Sequence, residues 1–184
     1  PVLNMLNTRY IIFDLNSPPL VNNQTWGNAW FAHSFKVVAN ADEEIETLKE
    51  VTSPEQAVVD RRFASFVEGK TFLPDSTAFI SLTEYQPNYL KYTSKAASEQ
   101  LALFSEIYYA DGWKAFVDGK ETPHFRANYI LRAMVLPAGA HTVEFRFHPA
   151  AFFTGNKVSL AGSLLLLLAV AGYFFMEYRK KKIE

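Results

Sequence analysis

Apolar residues recur at every second position over much of this chain, and a period of two predicts strands with one buried and one solvated face. The clearest case is Thr142 to His148, where Val143, Phe145 and Phe147 point one way and Thr142, Glu144, Arg146 and His148 the other. Similar short runs predict strands at Ala78–Glu84, Tyr89–Ser94, Leu101–Tyr108, Trp113–Val117, His124–Ala127 and Leu131–Leu136. Turn residues separate them. Asp118-Gly119 has the chemistry of a two-residue hairpin turn with positive φ at both positions, and Pro137-Ala138-Gly139 marks another turn. Strands at this spacing, paired consecutively and antiparallel, predict a β-sandwich over residues 76–150.

Residues 1–75 mix the two periods and predict a small α/β lead-in. Thr8 to Phe13 reads as a strand, followed by a loop rich in Pro, Asn and Gly, and Ala29 to Ala39 resumes strand character. Asn40 stands three residues before Glu43, a capping-box spacing that opens a short helix with Ile45, Leu48 and Val51 as its buried stripe. Ser53, Pro54 and Gln56 predict a second, one-turn helix leading into a strand from Ala57 to Phe63.

The pattern changes again near the C-terminus, where Val158 to Met176 carries no charge. A helix of that length covers roughly 28 Å, close to the ~30 Å hydrocarbon core of a bilayer, so a transmembrane helix is expected over residues 156–178. Arg179, Lys180, Lys181 and Lys182 follow it, whereas Lys157 alone lies directly before it, so residues 179–184 are expected to be a basic cytoplasmic tail. Residues 1–155 are then outside, periplasmic or extracellular. The chain opens at Pro1 with no export signal before it, so something upstream, either a removed signal peptide or further spans, is expected to deliver the outer part. The fold class predicted is mainly β: an antiparallel, jelly-roll-like β-sandwich with a small α/β N-terminal part and one C-terminal transmembrane helix.

Composition narrows the chemistry. The 184 residues are 49% hydrophobic and 20% charged, which excludes disorder, and a net charge of −1 offers no basic field for nucleic acid. With zero Cys there is no disulfide, thiolate nucleophile or Cys-ligated metal. Gly69-Lys70-Thr71 resembles the end of a phosphate-binding loop, but Ala64 stands where that loop needs its first Gly. His33, His124, His141 and His148 are scattered without metal-ligand spacing. Glu84, Glu106, Asp111 and Asp118 are the conceivable carboxylates for glycoside hydrolysis, which requires two of them facing each other across a sugar. No catalytic residue, cofactor or metal site is assigned. The remaining candidates are aromatic: Tyr108, Tyr109 and Trp113 flank the turn Ala110-Asp111-Gly112 and could stack on a sugar, against the alternative of core packing, which is favoured for Trp113.

The run FSEIYYADGWKAFVDGKETPHFRANYILRAMVLPAGAHTVEFRFHP, from Phe104 to Pro149, resembles the C-terminal end of YfhO-family bacterial membrane proteins. The upstream pieces LNMLNTRYII and GNAWFAHSFKVVANADEEIETL and the final span with its basic tail are similar to the same family. The resemblance implies a polytopic protein of the bacterial inner membrane with many N-terminal spans, then an extracytoplasmic domain and a last helix. It further implies a likeness to GT-C glycosyltransferases, which use polyprenyl-phosphate sugars to modify cell-surface glycopolymers. The catalytic acid of such enzymes lies in an early loop, so none is carried over to these residues. The partners implied are the lipid bilayer, the multi-span N-terminal part of the same protein, and surface glycan or a polyprenyl-phosphate sugar. The alternative is a non-catalytic single-span surface module that binds protein or glycan; an independent glycosidase ranks behind both.

Overall fold

The computed structural model describes residues 1–181, so Lys182, Ile183 and Glu184 of the expected basic tail lie outside the described residues. The chain divides into two units, one ending at Phe147 and the other starting at His148.

The first unit opens with a short helix α1 (Val2–Met5) and a two-rung hairpin of β1 (Tyr10–Ile11) and β2 (Leu20–Val21), with Tyr10 opposite Val21. The strand expected over Thr8–Phe13 is cut to two residues, because no further strand pairs with Ile12 and Phe13 and both stay exposed. The run expected over Ala29–Ala39 splits at His33 into β3 (Ala29–Ala32) and β4 (Ser34–Val38), which join different sheets. β4, α2 (Ala41–Thr47) and β5 (Gln56–Asp60) form a βαβ unit whose two strands run parallel, with Val37 opposite Val59.

Asn40 caps α2 as expected, its side chain accepting from Glu43 N at 3.0 Å. The return bond from Glu43 is accepted from Ala39 N at 2.8 Å, one residue before the cap. The buried stripe of α2 is turned from the expected one. Leu48 and Val51 are buried, but Ile45 is 44% exposed and the buried positions of the helix itself are Glu44 and Thr47. A buried carboxylate wins that face because partners await it across the fold. The one-turn helix expected at Ser53 is instead a turn: Ser53 Oγ accepts from Glu55 N at 3.2 Å, and β5 claims the chain from Gln56 by pairing with Ser34. β5 stops at Asp60 rather than Phe63, since the Asp60 carboxylate accepts from Arg62 N at 2.9 Å and caps a 3-10 helix, Arg61–Phe66.

The expected sandwich strands are all present: β6 (Phe79–Gln86), β7 (Tyr89–Ala96), β8 (Gln100–Ile107), β9 (Trp113–Val117), β11 (Phe125–Ala127), β12 (Leu131–Leu136) and β13 (Gly139–Phe147). A further short strand, β10 (Lys120–Thr122), completes the hairpin at Asp118-Gly119, whose φ angles of 50° and 80° are those the turn requires. One antiparallel sheet has the order β10-β9-β13-β7-β6 and the other β11-β12-β8-β3. Consecutive pairing therefore holds for β6-β7, β9-β10 and β11-β12 and fails elsewhere. The turn at Pro137-Ala138-Gly139 carries the chain from one sheet to the other rather than closing a hairpin, as do the β7-β8, β8-β9 and β10-β11 connections.

Two cores result. Between the sheets lie Leu90, Tyr92, Ala102, Phe104, Met134, Val143 and Phe145. On the far side of the four-stranded sheet, Leu101, Leu103, Leu131 and Ala133 pack with Val38, Leu48 and Val59 of the βαβ unit. The four-stranded sheet is thus covered on both faces, which explains why β8 reads as a continuous apolar run instead of alternating.

The second unit is α3 (Ala150–Lys181), of which the 27 residues Ala150–Met176 are long and apolar enough to cross a membrane. It starts earlier than the expected residue 156 and is apolar around its whole circumference, with no polar stripe to direct one face at a soluble core.

Candidate functional site

The end of β8, the start of β9 and the link between β10 and β11 come together around a cleft of about 640 Å³. Tyr108 and Trp113 both line it, together with Lys114, Glu121 and His124. Tyr109 does not: it is 53% exposed and lies outside the cleft lining, so the structure unites two of the three expected aromatic residues.

Tyr108 follows β8 and is fixed by its N–H, which donates to Ile130 O at 2.7 Å. Its ring meets Phe63 edge-on at 5.8 Å and His124 at 5.4 Å. Trp113 opens β9 directly opposite Phe147, the ring centroids 5.2 Å apart. Its indole also lies 4.0 Å from the Arg132 guanidinium. Neither a fully packed core Trp nor a free surface ring describes it: Trp113 is half-buried, backed by a cation. At the mouth, Lys114 Nζ and Glu121 Oε2 form an ion pair at 3.0 Å with both side chains about half exposed.

Arg132 was not among the residues expected here. It sits inside the apolar strand LRAMVL, 2% exposed, with Nε donating to Ile107 O at 3.0 Å and its guanidinium also over the Phe145 ring at 5.1 Å. A charged residue within a continuous apolar run was the available signal, since such a group is retained only where partners meet it. Burial lowers its pKa, partly countered by Glu106 nearby, and raises that of Glu106 in turn. Burial also holds the His124 imidazole down to about 4, with Arg132 adding to the effect, so His124 is neutral at physiological pH.

The second constellation that sequence reasoning missed ties the βαβ unit to the sandwich. Glu44 Oε2 accepts from Arg126 Nη2 at 2.7 Å, and Glu44 Oε1 accepts from Tyr129 N at 2.8 Å. Asp60 Oδ2 takes a further bond from the same Arg126 nitrogen at 3.3 Å. These contacts join residues more than 60 positions apart and hold the chain through Asn128 and Tyr129, both at positive φ.

The other sequence candidates are dispersed. Asp118 is committed to its turn, accepting from His141 Nδ1 at 2.6 Å and from Thr142 N at 2.8 Å. Glu84 accepts from its neighbour Gln86, and neither it, Glu106 nor Asp111 lines the cleft. Glu121 is the one carboxylate among the lining residues and is already paired, so the cleft lacks the facing carboxyl groups that glycoside hydrolysis uses. Lys70, of the partial phosphate-loop motif, pairs with Glu99 at 2.7 Å. Among the described residues no group of His, Asp and Glu is arranged to hold a metal ion. What the cleft offers chemically is flat aromatic surface beside a polar, ion-paired rim, suited to stacking and hydrogen bonding.

Residues 76–159 match the family described as bacterial membrane protein YfhO. This matched stretch resembles that family. It begins just before β6, takes in the whole cleft-bearing part of the sandwich and ends inside α3. The family match and the apolar helix together support a membrane location. No curated protein and no solved structure matches the chain.

Proposed function

We propose that this chain is the extracytoplasmic accessory domain and membrane anchor of a polytopic YfhO-like protein that transfers sugar from a polyprenyl-phosphate donor to a cell-surface glycopolymer. The observation that carries the proposal is the continuity of the YfhO match, from the sandwich through the cleft into the membrane helix. The basic residues after the apolar helix support a cytoplasmic C-terminus with the sandwich outside, by the positive-inside rule. The aromatic walls of the cleft support a sugar-holding, accessory reading of this part of the protein. A saccharide of the acceptor or donor stacks on Trp113 and Tyr108 and hydrogen-bonds to the Lys114–Glu121 rim, while the chemistry belongs to the multi-span part of the protein.

The test is made in the full-length parent protein. Deleting residues 76–150, with membrane insertion retained, is expected to abolish sugar transfer to surface polymer, and Trp113→Ala is expected to weaken acceptor binding while leaving insertion intact. Transfer that continues unaffected by the deletion overturns the proposal.

A further inference from the structure

The β1–β2 hairpin is the most apolar exposed feature of the first unit. Phe13 is 83% exposed and Leu15 94%, with Tyr10, Ile12, Leu20 and Val21 exposed beside them. Apolar side chains of this size left in water at one tip call for a partner.

The exposure belongs to a fixed structure. Asn22 Nδ2 donates to Asn4 Oδ1 at 2.9 Å and to Thr8 O at 3.0 Å, and Asn22 N donates to Arg9 O at 2.8 Å, so the base of the hairpin is tied to α1 and the segment after it. Within the loop, Asp14 accepts from Asn16 N and Ser17 Oγ, both at 3.0 Å, which turns its carboxylate back onto the loop. From Tyr10 to Phe35 the sequence has no Lys, Arg or Glu and no Asp besides Asp14.

We infer that the tip of this hairpin, centred on Phe13 and Leu15, inserts into the interfacial layer of a lipid bilayer as a second membrane contact. Two observations select lipid over protein. First, only His148 and Pro149 separate the unit that bears the hairpin from the apolar helix that begins at Ala150, so a bilayer crossed by that helix is tethered to this unit at high effective concentration. Second, the tip presents a few side chains, where a stable protein interface uses about 20–30 residues a side. Aromatic and aliphatic residues on a loop whose one charge, Asp14, is turned back onto the loop's own donors are a composition that partitions into the headgroup and upper acyl region. The inference rests on reading Ala150–Met176 as a membrane span.

The absence of Cys permits clean single-site labelling of the whole chain. Phe13→Cys, Lys120→Cys and Leu166→Cys are each labelled with an environment-sensitive fluorophore and reconstituted into phosphatidylcholine vesicles carrying nitroxide at the headgroup or along the acyl chain. Lys120 reports the exposed β9–β10 turn and Leu166 the middle of the helix. The expected result is a blue-shifted, lipid-quenched label at position 13, a quenched label at 166 and a water-like label at 120. A label at 13 matching that at 120 while 166 is quenched overturns the hairpin contact and leaves the span standing. A label at 13 that is blue-shifted but unquenched means that protein covers the tip, which also overturns the contact. A label at 166 that is not quenched refutes the span and the inference with it.

Discussion

Asn128 completes both hydrogen bonds of Val58. The Asn128 N–H donates to Val58 O at 2.8 Å, and its side-chain Oδ1 accepts from Val58 N at 2.8 Å. One residue of the β11–β12 turn thereby acts as a strand neighbour to β5, and it does so from a positive φ of 49°, which Asn tolerates better than most residues. Replacement by Ala leaves the buried Val58 N–H without a partner and strains the turn. Asn128→Ala is expected to cost about 2 kcal/mol. Asn128→Gly restores only the backbone freedom and should recover part of that loss. Urea unfolding of the two variants in parallel separates the hydrogen bond from the conformation.

Gly112 and Gly119 both have positive φ, yet they differ in what a side chain would meet. A Cβ on Gly112, at φ 145°, would stand 2.6 Å from Phe147 Cε2, whereas one on Gly119, at φ 80°, meets nothing within 4 Å. Gly119→Ala should therefore cost about 1 kcal/mol, the conformational penalty alone. Gly112→Ala must also displace Phe147, and with it the Trp113 ring 5.2 Å away. Its cost should reach about 2–3 kcal/mol, and the Trp emission spectrum should shift for this variant and not for Gly119→Ala.

The cation beneath the cleft aromatic depends on a planar group. Arg132 stacks on Trp113 at 4.0 Å while its Nε holds Ile107 O, and a Lys ammonium cannot do both. Arg132→Lys is expected to destabilise the fold by about 2 kcal/mol and to change Trp fluorescence, despite keeping the charge. Thermal unfolding followed by near-ultraviolet circular dichroism reads both effects.

Two histidines should give the stability profile opposite slopes. His141 lies 2.6 Å from the Asp118 carboxylate and close to Ala138 O, and these contacts hold its pKa above the ordinary 6.5 while that of Asp118 is held below 3.8. A raised folded value means stability that is complete below pH 6.5 and is lost as pH rises through the folded pKa. The Asp118 part is present above 3.8 and is lost as pH falls below it. His124 runs the other way, because burial keeps it neutral down to about 4: its contribution is present above 6.5 and is lost as pH falls toward 4. In denaturant melts from pH 4.5 to 8.5, His141→Asn should flatten the alkaline decline and His124→Phe the acid one.

The elements legible in the sequence are those decided within a few residues. The alternation of Val143, Phe145 and Phe147, the Asp118-Gly119 turn and the Asn40 cap all emerge as read, since strand pleat, left-handed φ and an orphan helix N–H are local demands. The apolar helix was equally plain, because its length and lack of charge are local properties, sufficient to cross a bilayer, that need no reference to the rest of the fold. Two residues that line the cleft, Tyr108 and Trp113, were also singled out by the sequence.

Tertiary structure decided what depends on distant partners. Ile45 faces out and Glu44 in because Arg126, 82 residues away, supplies the charge that makes a buried carboxylate tolerable. Strand order departs from sequence order because β8 and β12 must be covered on both faces, by the other sheet and by the βαβ unit. Tyr109 left the cleft and Arg132 came to lie beneath it, since which side chains converge at a sheet end is set by register between strands. The sequence by itself determined the local elements and the long apolar helix. Packing across the sheets determined which of their residues meet.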